Sequence, residues 1–252
     1  MVSQPTPRRG PGTAVAWGLS WPLLAAAQMA WIPSAVALLV TFALAGAPVY
    51  VLMTRVVAQV PKGLPDVVTG FVWGLAIPGA YALFGLVFPA LVCLVRLLVR
   101  ARSHEGNDRI TSPRMIAWYH QLLSTYMVAT LCGPFLRATG LYKWFVRGMG
   151  GRVGRGAVVN SLRLYDLDLL SIGERAVIGG DAILTGHVVE AGLLVRRRIT
   201  VGAGATIGLQ AVVLPGVTIG PDAQVGAMAL VPKGSVLEAG GVYAGVPARR
   251  VR

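Results

Sequence analysis

Imidazole is the side chain best suited to take a proton from an attacking hydroxyl or ammonium near neutrality, and the chain has three: His104, His120 and His187. His104 falls in the polar segment Ser103 to Asp108 and His120 in an aromatic-rich stretch, so both read as surface or interface residues. His187 stands in the hexad Leu184 to Val189, immediately before the one large break, Glu190 to Thr200, in an otherwise regular repeat. Its competing reading is a lone histidine at a turn, satisfying a backbone carbonyl. Upstream, Val159 to Gly173 (VNSLRLYDLDLLSIG) supplies Asn160, Asp166 and, as a rival to Asp166, Asp168. A carboxylate near an imidazole orients it; Asp and Asn also simply close turns. The two cysteines, Cys93 and Cys132, indicate neither a disulfide framework nor a thiolate metal site.

The elements that must position these residues are written in sixes. Ile172, Ile178 and Leu184 are six apart, and after the break Val201, Ile207, Val213, Ile219, Val225, Val231 and Leu237 resume the beat. Four residues after each comes a small or β-branched residue: Ala176, Ala182, Val188, Ala205, Ala211, Val217, Ala223, Ala229, Ser235 and Gly241. A helix requires a period near 3.6 and a strand a period of 2, so a strict six predicts short strands joined by tight turns. Stacked coils would bury their inward aliphatics against one another, giving a core that no single repeat has.

These strings, IGGDAILTGHVVE (Ile178–Glu190), ITVGAGATIGLQAVVLPGVTIG (Ile199–Gly220) and VGAMALVPKGSVLEAGGVYAGVPARRVR (Val225–Arg252), resemble the hexapeptide-repeat acyltransferases over roughly residues 150 to 252. The resemblance implies an all-β, left-handed parallel β-helix and a homotrimer. It implies His187 as general base, Asn160 and Asp166 as acceptor-binding residues, and acyl-CoA (acetyl-CoA) as co-substrate. On the donor side it implies the backbone of Leu209 and of Ala227, with Lys233, Arg249 and Arg252 pairing to phosphate oxygens, a task suited to guanidinium groups. The sequence departs from the sugar-acetylating members: Val188 follows the histidine where they carry Pro, and Thr206 stands where many carry Trp. The break contains Arg196, Arg197 and Arg198, so the acceptor pocket need not suit a neutral sugar. The join of apolar helices, linker and ladder more closely resembles the repeated terminal units of polylysine-type nonribosomal peptide synthetases. That likeness implies an aminoacyl thioester on the phosphopantetheine of a carrier protein as the alternative donor, and a peptidyl or acyl carrier protein or a synthetase as partner. Gamma-type carbonic anhydrase shares such a fold but needs several histidines per zinc, and the ladder holds His187 alone; no metal is expected.

The other half of the chain has a different solvent. No charged residue lies between Gly10 and Thr54, nor between Val67 and Val95. Ile32 to Thr54 would reach about 34 Å as a helix, against a hydrocarbon core of roughly 30 Å. Two transmembrane spans, 32–54 and 67–98, are predicted, and 14–31, with Trp17, Trp21 and Trp31, is either a third span or an interfacial helix. The domain organisation expected is therefore a helical transmembrane region over 1–105, an amphipathic juxtamembrane linker over 106–150, and the β-helix over 151–252. The linker, with Trp118, Tyr119, Tyr126, Phe135, Tyr142, Trp144 and Phe145, either packs on the β-helix or lies among headgroups.

Residues 1 to 150 carry twelve basic and three acidic residues, and 151 to 252 eleven and seven. The net charge of +13 is thus mainly juxtamembrane and reads as attraction to membrane lipid rather than nucleic acid. The positive-inside rule places both ends in the cytosol, with the β-helix on the cytoplasmic side of a bacterial cell membrane. The expectation is a membrane-anchored acyltransferase that moves an acyl group from a thioester to an amine or hydroxyl. Amide or isopeptide formation from a carrier-protein thioester, and a non-catalytic scaffold for a synthetase, are the alternatives.

Overall fold

The computed structural model describes residues 29, 31–61, 63–98, 104–109 and 112–252. The 14–31 segment lies outside these apart from Met29 and Trp31, as do Arg8, Arg9, Arg100 and Arg102. Two apolar helices lead, α1 (Ile32–Gln59) and α2 (Asp66–Leu98). Both are long and apolar enough to cross a membrane. They pack through edge-on rings, Phe42 meeting Phe84 at 5.2 Å and Phe88 at 5.9 Å between centroids. The first half of α2 is bare, with Val67, Phe71 and Leu75 exposed. Its buried residues are Ala80, near the middle, and Gly85, Phe88, Pro89, Val92, Cys93 and Arg96 in the second half.

What covers that second half is the aromatic-rich stretch, folded as α3 (Arg114–Leu131), α4 (Gly133–Ala138) and α5 (Tyr142–Gly148). Tyr81 donates its hydroxyl to the Leu131 carbonyl at 3.0 Å. At Gly148 an added Cβ would sit 2.5 Å from Cys93 Sγ, so α5 can lie against α2 only because the residue there has no side chain. The same helices face the repeat: Val128, Cys132, Leu136, Tyr142, Phe145, Val146 and Met149 are buried in one continuous core with the inward residues of the sheets. Cations expected to meet lipid are partly engaged inside the protein. Lys143 caps the Ala157 carbonyl at 3.1 Å, Arg147 caps Val153 at 2.7 Å, and Arg96 is buried beside Gly148.

From residue 152 the chain visits three parallel sheets in rotation. One holds Arg152–Val153, Leu170–Ile172, Ile199–Val201, Thr218–Ile219 and Val236–Leu237. The next holds Val158–Val159, Val177–Ile178, Thr206–Ile207, Gln224–Val225 and Val242–Ala244, closed by the antiparallel Arg249–Arg250. The last holds Leu164–Tyr165, Ile183–Thr185, Val212–Val213 and Leu230–Val231. From Val201 onward each strand pairs with the third strand after it, Val201 with Ile219, Ile207 with Val225 and Val213 with Val231. Three sixes therefore make one circuit. The predicted corner aliphatics are all buried, as are Val153, Val159 and Leu164 in an earlier circuit.

That earlier circuit does not keep the beat. Three sixes from Val159 would end at Val177 and three from Leu164 at Ala182, but Val159 pairs with Ile178 and Leu164 with Leu184. The surplus sits where the chain leaves the third sheet, as a 3₁₀ turn over Leu167–Leu169. At the same place one circuit later, a hairpin is inserted: Ile172 pairs with Val201, whereas three sixes would have ended at Glu190. The strands of the hairpin are His187–Glu190 and Leu193–Arg196, joined through Ala191 and Gly192. Both turn residues have positive φ, 48° and 76°, as a type I′ turn requires. A further strand, Gly106–Arg109, pairs antiparallel with Leu193–Arg196.

Candidate active site

The two interruptions stack, and they bring Asp166 and His187 together. His187 Nδ1 lies 2.5 Å from Asp166 Oδ2. The other carboxylate oxygen accepts the Trp118 indole N–H at 2.8 Å. Thr185 Oγ1 donates to the His187 carbonyl at 3.1 Å and stands 3.3 Å from Nδ1. With a carboxylate and a hydroxyl oxygen both facing it, Nδ1 is placed to donate, and the tautomer these partners favour leaves Nε2 as the acceptor nitrogen. Among the described residues no protein partner reaches Nε2. Trp118 also places its ring edge-on to the imidazole, 5.0 Å between centroids, so rotation of His187 is blocked on that side.

Local sequence explains the fit. Asp166 has φ 53°, in the left-handed region, and directs its carboxylate inward from the first residue of the widened turn. Asp is one of the few residues that adopts this conformation at modest cost. Gly186, just before the histidine, faces it: an added Cβ would stand 3.0 Å from Asp166 Cβ and 3.3 Å from Leu169. A side chain there would wedge the two corners apart. The Asp166 side chain is almost fully buried while that of His187 keeps 21% of its exposure, so the acid is sealed and the imidazole is open on one side.

That side is a cavity of about 710 Å³ between the repeat and α3. Its walls are Tyr119, Leu122, Leu123 and Tyr126 from α3, Trp31 from the residue before α1, and Tyr165, Ile183, Val188, Val189 and Leu214 from the repeat. The polar side chains in its lining are Thr185, His187 and the phenols of Tyr119, Tyr126 and Tyr165.

The other predicted residues divide. Asp168, the rival to Asp166, faces the opposite way, towards Gly150 and Arg96. Asn160 is exposed at the turn between the second and third sheets, near Gly180 rather than His187. Leu209 and Ala227 stack along that same turn column, where Met228 donates its backbone N–H to the Leu209 carbonyl at 2.8 Å. Arg249 and Arg252 are exposed at the last circuit. Lys233 lies on the histidine's side and is bound by both oxygens of Glu190, at 2.6 and 2.5 Å.

The arginine run does not shape the acceptor cavity as the sequence suggested. Arg196 is buried in an ion pair with Asp108, Arg197 donates to Asn107 Oδ1 at 3.0 Å, and Arg198 pairs with Glu105 at 3.3 Å. All three fasten the hairpin to the segment after α2. Trp118 is the functional candidate that the sequence did not single out, because nothing local ties it to Asp166 or His187, which lie far along the chain. Elsewhere, burial pulls the His120 imidazole below its ordinary value and pushes the Cys132 thiol up to about 11, so the thiol stays protonated near neutrality.

No protein-family model matches the chain, and no curated protein matches it. Solved structures to which it is similar include a hexapeptide-repeat-containing acetyltransferase complexed with acetyl coenzyme A from Vibrio cholerae O1 biovar eltor, at 24% identity and TM-score 0.39, covering 42% of this chain and 61% of that one. Galactoside acetyltransferase in complex with coenzyme A is 26% identical, with TM-score 0.35, over 44% of this chain and 68% of that one. Serine acetyltransferase from Vibrio cholerae O1 biovar El Tor N16961 is 19% identical, with TM-score 0.41, over 68% and 54%. The chain thus spans about three fifths of the length of the first of these.

Proposed function

We propose that the chain is a membrane-anchored acyltransferase whose repeat winds as a left-handed parallel β-helix and whose His187 is the general base. One observation carries this reading: the buried Asp166 carboxylate stands 2.5 Å from His187 Nδ1, and the imidazole lines a cavity. In the step envisaged, an amine or hydroxyl in the cavity loses its proton to Nε2 and attacks the thioester carbonyl. A C–N or C–O bond forms, the C–S bond breaks, and the imidazolium returns the proton to the departing thiolate. Asp166 stabilises the imidazolium between these events and is not itself protonated. Trp118 and Gly186 hold Asp166 in place.

Acetyl-CoA is the donor that the sequence resemblance favours. The exposed turn column at Leu209 and Ala227, leading to Arg249 and Arg252, would hold it. Lys233 would contribute less charge than its sequence position suggests, since Glu190 already neutralises it. The helices α1 and α2 would cross the membrane twice, with the repeat on the cytoplasmic side, and a homotrimer is the assembly expected.

The test is release of free thiol from acetyl-CoA by the full chain in detergent, across a panel of amines and alcohols, beside His187→Ala. Acceptor-dependent thiol release that is lost in the variant supports the proposal. Release only from an aminoacyl carrier protein would move the donor to phosphopantetheine, as in the synthetase-like alternative. No release from either donor would leave a scaffold.

A further inference from the structure

The cavity above His187 is walled by aromatic and aliphatic side chains, and no charged side chain lines it among the described residues. A small polar acceptor, such as a sugar or a free amino acid, would surrender hydrogen bonds to water there and gain few in return. The cavity is also not isolated from the apolar surface of the helices. Trp31, one of its walls, is half exposed and directly precedes α1. From it, Ile32, Val36, Leu39 and Val40 follow at helical spacing along one exposed face, and Leu44, Val51 and Leu52 continue the exposed apolar surface towards the far end of α1. Tyr126 of α3, more than half exposed, is another of its walls. Aromatic side chains with one polar edge favour such a border between apolar and aqueous surroundings.

Resting on the acyl-transfer reading above, we infer that the acceptor is a membrane amphiphile: a molecule with an aliphatic body that enters from the bilayer along α1, fills the cavity between α3 and the repeat, and presents its amine or hydroxyl to His187 Nε2. The donor, carrying phosphates, has no counter-charge in this cavity and approaches from the other side of the histidine. The apolar walls therefore select the acceptor and not the thioester.

The experiment uses the full chain in phospholipid nanodiscs, with acetyl-CoA and a series of 1-aminoalkanes from ethylamine to decylamine as probes. Thiol release gives kcat/KM for each. The expected result is a rise of about twofold to fourfold per methylene, the higher figure being that for a fully buried CH₂. Because long amines also concentrate in the bilayer, the series is repeated with Tyr126→Asn/Val189→Asn, two walls exposed enough for polar replacement to spare the core. A flattened slope in that variant supports the inference. An unchanged slope assigns the effect to the bilayer and overturns it. Turnover that is flat along the amine series in the wild type also overturns it and leaves acyl transfer standing, as does a rate that rises with the acyl length of the donor instead. A diazirine-bearing decylamine, mapped by mass spectrometry, reads occupancy without turnover. Labelling of Leu122, Leu123 or Leu214 with no thiol release at any chain length, from acetyl-CoA or from an aminoacyl carrier protein, would overturn acyl transfer and the acceptor assignment together, leaving an apolar binding pocket.

Discussion

The circuits after Val201 and the circuits before it differ in one respect. From Val201 onward every parallel pair of strands is separated by three sixes, and the turns between sheets are short. Before it, the corner that leaves the third sheet is lengthened twice, by the turn bearing Asp166 and by the hairpin bearing His187. Aliphatic residues are buried at both kinds of circuit, so the core does not distinguish them. The regular circuits provide a rigid stack in which each position is copied in the next. The lengthened corners use that stack as a base and place on it residues that are not copied. In this fold the repeat provides position, and the departures from it provide chemistry.

The comparison breaks most visibly if the two regions fail to respond to different substitutions. His187→Ala is expected to lower kcat by about 10² to 10⁴ while the thermal midpoint in detergent stays where it was; steady-state thiol release and a melting curve check both. Ile207→Ala, in a regular circuit, is the converse. It empties part of a fully buried site and should cost about 2 to 5 kcal/mol of stability, read by denaturant titration, with turnover per folded molecule retained. Asp166→Asn keeps the side-chain shape and tolerates the left-handed backbone, yet it offers an amide where His187 needs a carboxylate. A fall in kcat of roughly 10² or more is expected, with KM nearly constant. Trp118→Phe removes one hydrogen bond to that buried carboxylate and should cost about tenfold in kcat. The smallest effect belongs to His120, whose imidazole burial pulls below its ordinary value. The unfolded chain binds a proton there as pH falls through about 6.5, so stability should decline below that pH, and less so in His120→Gln, as melts at about pH 7.5 and about 5.5 would show.

The sequence made some of this legible and hid the rest for physical reasons. Ile172 through Leu237 could be placed inward because a period of six has one meaning for a β chain, and the break after His187 marked the corner where chemistry was expected. Val153, Val159 and Leu164 are also inward, but their partners Ile172, Ile178 and Leu184 lie beyond the reach of three sixes, which puts them off the beat. The choice between Asp166 and Asp168 depended on which side of a 3₁₀ turn each carboxylate leaves, and two residues in such a turn point apart. Trp118 reaches the site from a separate helix, and contacts between residues far apart in the chain leave no local pattern. The Arg196 to Arg198 run read as bearing on the acceptor because its partners, Glu105, Asn107 and Asp108, lie some 90 positions earlier.

The strand Gly106–Arg109 has a consequence for biogenesis. It is made directly after α2, yet its pairing partner is made much later: Asp108 precedes Arg196 by 88 residues. At a synthesis rate of about 5 to 20 residues per second, the nascent chain holds this strand without its neighbour for roughly 4 to 18 seconds. During that interval the helices are already made, while the hairpin that carries His187 is not yet complete. The order of translation therefore sets the order of assembly: the edge strand that follows α2 comes first, and the hairpin bearing His187 closes onto it. Chains arrested before residue 196 should expose 104–109 to protease, and chains released beyond the last circuit should protect it.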